Sequence, residues 1–434
     1  MPTRRDTDTL SRAEEEALAR AKRAVEGRTT PDGRGERTGR RKRGRGKAGS
    51  GKGRSTRTGV GTGKARARSG GRRPAPPARS ASLDVLRGIG VVATVLLLAG
   101  TAPSSVPPWA EPSGWHGIAV ADLVLPLFLL VAGASLAWAD AGRAGLPAWR
   151  RTGRALRRVA VLVALGLALN WVAADGDLDR LRWSGLLQRV GLATFLGWLV
   201  ARLPLTWRIA TLGTLVAGWG LALERVAAPG VPAGTMRPEA NLVAWLDTAL
   251  LGPGHLVAPT DPLGLATLPL AAALVVAGRL LGDWLRGRPA GPATSAALAV
   301  LGGWLVVLGV IWAQLTPLNA TLWTPPHLLF ATGAVVLLAA VAYLAAEVLP
   351  TRRVVAPLER LGRNALVAYL LPAGLIALAS RPAADGMSAW GRLVERFAAP
   401  VFGDLAWLVL AAALLAVTWS VVGRLDVRGW HLRA

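Results

Sequence analysis

Residues 109–130 read WAEPSGWHGIAVADLVLPLFLL, a polar approach that passes without a break into apolar side chains. A bilayer core of about 30 Å is crossed by about 20 apolar helical residues, so residues 118–139 are expected to span a membrane. The mouth of this span carries Trp115, His116 and Asp122. Asp122 sits about one turn inside it, where a charge is costly unless it is paired or used. The same stretch therefore sets the fold class and marks a candidate site.

Working outward, segments of similar length and apolarity recur at 85–103, 156–174, 185–202, 206–226, 264–285, 293–315, 326–348, 361–380 and 402–423. Their Ala, Leu and Val content with scattered Gly suits helices that pack closely in lipid. Period-two alternation is absent, which argues against a barrel. The expected fold is all-α, a polytopic membrane bundle of about ten transmembrane helices.

The chain is 52% hydrophobic yet carries a formal charge of +25. Residues 1–80 hold 24 Lys and Arg against 8 Asp and Glu, while the rest holds 27 Arg, no Lys and 18 acids. The protein thus reads as a basic tail (1–80), a membrane domain (81–424) and a short C-terminus (425–434). Residues 27–80 offer almost nothing to bury, so disorder is expected there. Residues 10–26 place Glu ahead of Arg and Lys at helical spacing and are expected to form a short solvated helix. No signal-peptide core appears in the tail. Its basic residues suit anionic headgroups, at about 1 kcal/mol each near the surface. Nucleic acid is the poorer reading, because interleaved aromatics and a folded reading module are missing. There is no cysteine, which excludes disulfides, a thiolate nucleophile and zinc–thiolate sites.

Loop charges give an expected orientation. Connections 140–155, 203–205, 286–292 and 349–360 contain or adjoin Arg143, Arg150, Arg151, Arg154, Arg202, Arg208, Arg286, Arg288, Arg352 and Arg353. The alternate connections are poor in Arg. The positive-inside rule then places both termini and the Arg-rich loops in the cytoplasm of a cell such as a bacterium. Of the four histidines, His116, His255 and His327 fall on the outer side; His431 does not.

Several stretches resemble the heparan-alpha-glucosaminide N-acetyltransferase family of multi-span membrane acyltransferases and its bacterial relatives. They are SLDVLRGIGVV at 82–92, WHGIAVADLVLPLFLLVAG at 115–133, LQRVGLATFL at 187–196 and the run from NLVAWLDTALLGPGHLV to DPLGLATLPLAAALVVAGRLLG at 241–282. PLNATLW at 317–323 and LGRNALVAYL at 361–370 are weaker echoes. The resemblance implies transfer of an acetyl or acyl group from cytoplasmic acetyl-CoA to an amino sugar or glycan on the outer side. It would also place a histidine three residues before Trp115 and an asparagine near the outer end of the first helix. Those positions hold Pro112 and Leu98, so the catalytic pair is replaced and the protein is either altered in its chemistry or degenerate.

Acyl transfer to an amine needs a base or a covalent acyl carrier. His116 is the nearest imidazole, with Asp122 as its orienting group or a contact to the acceptor amine. Trp115, Gln188, Arg189, His255 and Asp261 are the expected acceptor-binding residues. Each also has a plainer reading: an interfacial imidazole for His116, a structural ion pair between Asp122 and Arg189, a solvated loop for His255. Arg87, Arg363 and Asn364, at the opposite end, are the expected contacts to CoA phosphates, although Arg87 also stands at i+3 from Asp84. His327, after two prolines, reads as an interfacial helix start. A transporter or flippase and a non-catalytic scaffold are the competing classes, the first weakened by the lack of an internal repeat. Membrane lipids are expected partners, and a homo-oligomer is one expected arrangement.

Overall fold

The computed structural model describes residues 80–100, 111–383 and 386–430. The tail readings at 10–26 and 27–80 lie outside the described residues, as does His431. All described residues fall in one unit, Arg72–Ala434.

The chain is helical throughout the described residues, with three isolated β-bridges in loops. Helix α1 covers Ala81–Ala99, and a 3-10 turn at Val120–Leu123 leads into α2, Val124–Ala141. Then come α3 (Ala148–Ala173), α4 (Leu186–Val200), α5 (Leu205–Arg225) and a short α6 (Leu242–Leu251). Next are α7 (Leu268–Arg286), α8 (Pro292–Trp312) and α9 (Pro325–Tyr343) with a π-helical end, then α10 (Arg352–Arg363) and α11 (Ala365–Ala379). Short helical turns from Ala389 lead into the last helix, α12, Ala406–Val427.

Local chemistry explains several of these boundaries. Pro292 and Pro325 open α8 and α9, where a missing N–H costs nothing and φ is already set. Asn241 caps α6 by accepting from the Ala244 amide at 2.8 Å. The break between α10 and α11 falls at Asn364 and bends the chain by 71°.

Each expected span is occupied by helix, but they are not equal. Among the described residues, seven helices are long and apolar enough to cross a membrane, or eight with the bent pair α10–α11. At about 1.5 Å per residue, the 15 residues of α4 fall short of a bilayer core. Helix α5 has the length but carries Arg208, Glu224 and Arg225. The polytopic helical bundle stands, and of its ten expected spans those at 185–202 and 206–226 do not meet this measure.

The core lies where α1, α2, α7, α8 and α9 meet, around Leu86, Leu130, Val131, Leu298 and Val335. Helices α2 and α7 approach so closely that a Cβ on Gly133 would strike the Val275 carbonyl, and one on Gly278 the Leu130 carbonyl. Small residues permit this backbone contact, the usual device for joining helices without a hydrophobic driving force in lipid. By contrast α3, α5 and α8 leave Leu156, Trp207, Ile209, Trp304 and Ile311 exposed, as lipid-facing helices do.

Candidate functional site

At one end of the bundle the loops 111–119, 174–185, 226–267 and 313–324 hydrogen-bond to one another. Trp115 donates its Nε1–H to the Met236 carbonyl at 2.7 Å, and Asn319 donates to the Trp115 carbonyl at 2.8 Å. Arg182 pairs with Asp261 at 2.5 Å, and the Ser184 hydroxyl donates to the same carboxylate at 3.0 Å. Ser184 also lines a cavity of about 420 Å³ between α3, α4, α6 and the following loop.

Three expected acceptor-binding residues line this cavity: Gln188, Arg189 and His255. Asp261 supports its wall through Ser184. His255 Nδ1 lies 2.7 Å from the Leu181 carbonyl oxygen. A carbonyl only accepts, so in the neutral ring Nδ1 carries the hydrogen and Nε2 keeps its lone pair. Trp183 meets the imidazole edge to face at 5.5 Å between centroids. The Gln188 Nε2 is buried with no hydrogen-bond partner, an amide donor left unused.

Arg189 is 2% exposed and is held by neutral oxygens. Its guanidinium donates to the Gly264 carbonyl at 2.7 Å and to the Thr267 hydroxyl at 2.7 Å, and lies 4.5 Å from the Trp323 ring centroid. The ion pair with Asp122 weighed from the sequence is not formed. Asp247 and Asp261 supply the attractive field instead. Asp247 lies, by sequence, in the same loop as His255 and Asp261, but the structure gives it a helix. It stands in the ten-residue α6, too short to cross the membrane, and is wholly buried. Burial raises its pKa, against the hydrogen bond from the Ala266 amide, while Asp261 adds to the rise and Arg189 opposes it.

His116 and Asp122 stand apart from this cavity's lining. His116 is exposed, touching Trp115 edge to face at 6.2 Å. Asp122 accepts from the amides of Ala119 at 2.8 Å and Ser113 at 3.3 Å, so it ties the polar approach to the helix start. His327 stands at the start of α9, as its position suggested, but it is packed inside the protein. It is 1% exposed, its Nδ1 has no hydrogen-bond partner, and it meets Trp323 edge to face. Two prolines at the start of α9 signal where the helix begins but not what covers it.

At the arginine-rich end, the expected CoA contacts are engaged internally. Arg87 pairs with Asp84 at 2.5 Å and donates to the Ser135 hydroxyl at 2.5 Å. Arg363 pairs with Asp426 at 2.9 Å, and Asn364 is buried at the α10–α11 bend. These residues brace α1, α2, α10 and α12, and a phosphate would have to compete with carboxylates already in place.

Residues 79–252 match the family model described as heparan-alpha-glucosaminide N-acetyltransferase, catalytic. The chain is 25% identical over 320 residues to the Homo sapiens heparan-alpha-glucosaminide N-acetyltransferase, covering 58% of this chain and 46% of that protein. The Mus musculus protein of the same name is 24% identical over 313 residues, covering 57% and 46%. Over these stretches the chain is similar to the heparan-alpha-glucosaminide N-acetyltransferases. It is an acetyltransferase-like, multi-pass membrane protein, and it spans about half the length of the curated relatives it matches. The stretch matched to the catalytic family runs from before α1 to the end of α6, so it takes in His116, Asp122, Gln188 and Arg189 but stops short of His255. Of the two positions where the resemblance would place His and Asn, Pro112 is exposed, and Leu98 packs beside Ile376, Trp390 and Val394. Neither side chain can move a proton.

Proposed function

We propose that the protein transfers an acyl group from acyl-CoA, presented at the arginine-rich end, to an amino sugar or glycan bound in the cavity at the other end. The arginine-rich end would face the cytoplasm, by the positive-inside rule. One observation carries the reading: an imidazole whose Nδ1 is held by a carbonyl lines a cavity beside an unused amide donor.

His255 is then the general base, in preference to the exposed His116. With the thioester brought through the bundle to this cavity, the acceptor nitrogen attacks its carbonyl carbon, Nε2 of His255 takes a proton from that nitrogen, the C–S bond breaks, and the imidazolium returns the proton to the thiolate so that CoA leaves as its thiol. Gln188 Nε2 is placed to donate to the acceptor or to the carbonyl oxygen as it gains charge. Arg189, saturated by oxygens on one side, shapes the wall and favours electron-rich groups. Acetyl-CoA is the donor that kinship implies. Trp115 and Asp122 brace the loops of the same end, outside the cavity's lining.

The test is transfer from radiolabelled acetyl-CoA to glucosamine by purified protein. His255→Ala should lower the rate by about 10²–10⁴, the usual worth of a general base, while His116→Ala should keep most of it. Equal loss in both variants would return a role to His116. No transfer by the unaltered protein to any amino-sugar acceptor would point to a degenerate relative.

A further inference from the structure

A second cavity lies at the arginine-rich end, between the end of α2, the first half of α3 and α4. It measures about 50 Å³ and is lined by Arg143, Arg151, Arg154 and Arg158, with Thr194 and Asp140. A single water needs roughly 10–15 Å³ on this measure, so a larger group fits. Its one described carboxylate, Asp140, is taken by Arg279 from α7, which also holds Asp283 at 2.9 Å. None of the four lining arginines is in an ion pair among the described residues.

Arginines at an inner membrane face are ordinary when they reach into water. These differ in having polar atoms shut away. The Nε atoms of Arg151 and Arg158 are buried without a hydrogen-bond partner, and so is the hydroxyl of Thr194, a residue only 3% exposed. Next to them, burial lowers the pKa of Arg202; Asp140 opposes the shift, and Arg151 and Arg279 add to it. Like charges are crowded there with too little counter-charge, and buried donors without acceptors cost free energy. A bound anion removes both costs. A phosphate suits best, because several guanidinium forks can share its oxygens. The neighbouring face of α3 leaves Leu156 exposed, and phosphate groups are abundant at an anionic membrane surface.

We propose that this cavity is a phosphate-binding site, taking the phosphate of a phospholipid headgroup or of a nucleotide, with Arg151, Arg158 and Thr194 as its buried donors. It is distinct from Arg87 and Arg363, and it does not depend on acyl transfer.

The experiment measures binding to the full-length protein in detergent of short-chain phosphatidylglycerol, adenosine 3′,5′-bisphosphate and inorganic phosphate. At least one probe should bind. Arg158→Gln and Arg154→Gln should each weaken it about tenfold, the worth of one charge-assisted hydrogen bond. Arg154 is exposed, so its variant stays informative even if Arg158→Gln misfolds. Arg157→Gln, exposed and outside the lining, should change binding less than about twofold. The basic tail is common to every variant and cancels. Binding of the lipid alone assigns a headgroup, of the bisphosphate alone a nucleotide, and of both a general phosphate cradle. No binding by any probe, or an equal loss in Arg157→Gln, would overturn the proposal.

Discussion

Asn319 shows how one side chain sets the site's frame. It is wholly buried and accepts from the Leu322 amide at 2.7 Å while donating to the Trp115 carbonyl at 2.8 Å. That grip holds Trp323 at φ +54, a left-handed conformation costing about 1–3 kcal/mol in a non-glycine residue. The ring of Trp323 is thereby set beside Arg189 and His327. Asn319→Ala would orphan two backbone groups at about 1–3 kcal/mol each, so we expect a clear drop in the thermal midpoint in detergent. An unchanged midpoint would show that the loop is held by other contacts. At this scale the sequence was partly legible. Burial of Arg189 could be foreseen from its place in an apolar segment, but its partners proved to be carbonyls and a hydroxyl. Which imidazole has one nitrogen locked could not be foreseen, because the partner of His255 is the carbonyl of Leu181, distant in sequence and carrying no side-chain signature.

Helices were the most legible level, since long apolar runs leave little choice of conformation in lipid. The reading failed where tertiary packing set the limits. Residues 361–380 read as a single span, whereas α10 and α11 meet at a bend. Between the expected spans 206–226 and 264–285 no helix is expected, yet α6 forms there; Asn241 as its cap and Gly252 after its end are the signals of it in the sequence. The α2–α7 seam was legible only as composition: GRLLG at 278–282 gives small residues four apart, but not which helix they meet. Gly278→Leu would drive a side chain into the Leu130 backbone carbonyl. Overpacking costs about 1–3 kcal/mol even where neighbours can yield, and backbone yields least. The variant should melt at lower temperature and give less folded protein from membranes. Wild-type behaviour would mean that the two helices can separate without cost.

For the whole molecule, the distribution of arginine between alternate connections gave an orientation, and the structure gathers the loops into a hydrogen-bonded cap at one end and the charged belt at the other. The chain has no cysteine, so introduced ones report sidedness without background. Leu178→Cys, in the cap, should react with an impermeant maleimide in intact cells; Ala144→Cys, in an arginine-rich connection, should react only after permeabilisation. The reverse pattern would invert the proposed path. What the sequence could not supply at this scale was the cavity, because its walls come from α3, α4, α6 and the loop beyond, brought together only by folding.

The most direct measurement uses sealed proteoliposomes sorted for one orientation, with radiolabelled acetyl-CoA at the arginine-rich face and glucosamine enclosed at the cap face. The account predicts N-acetylglucosamine inside the vesicles, greatly reduced by His255→Ala. Product formed only when donor and acceptor share a compartment, or formed equally by the His255→Ala variant, would contradict it.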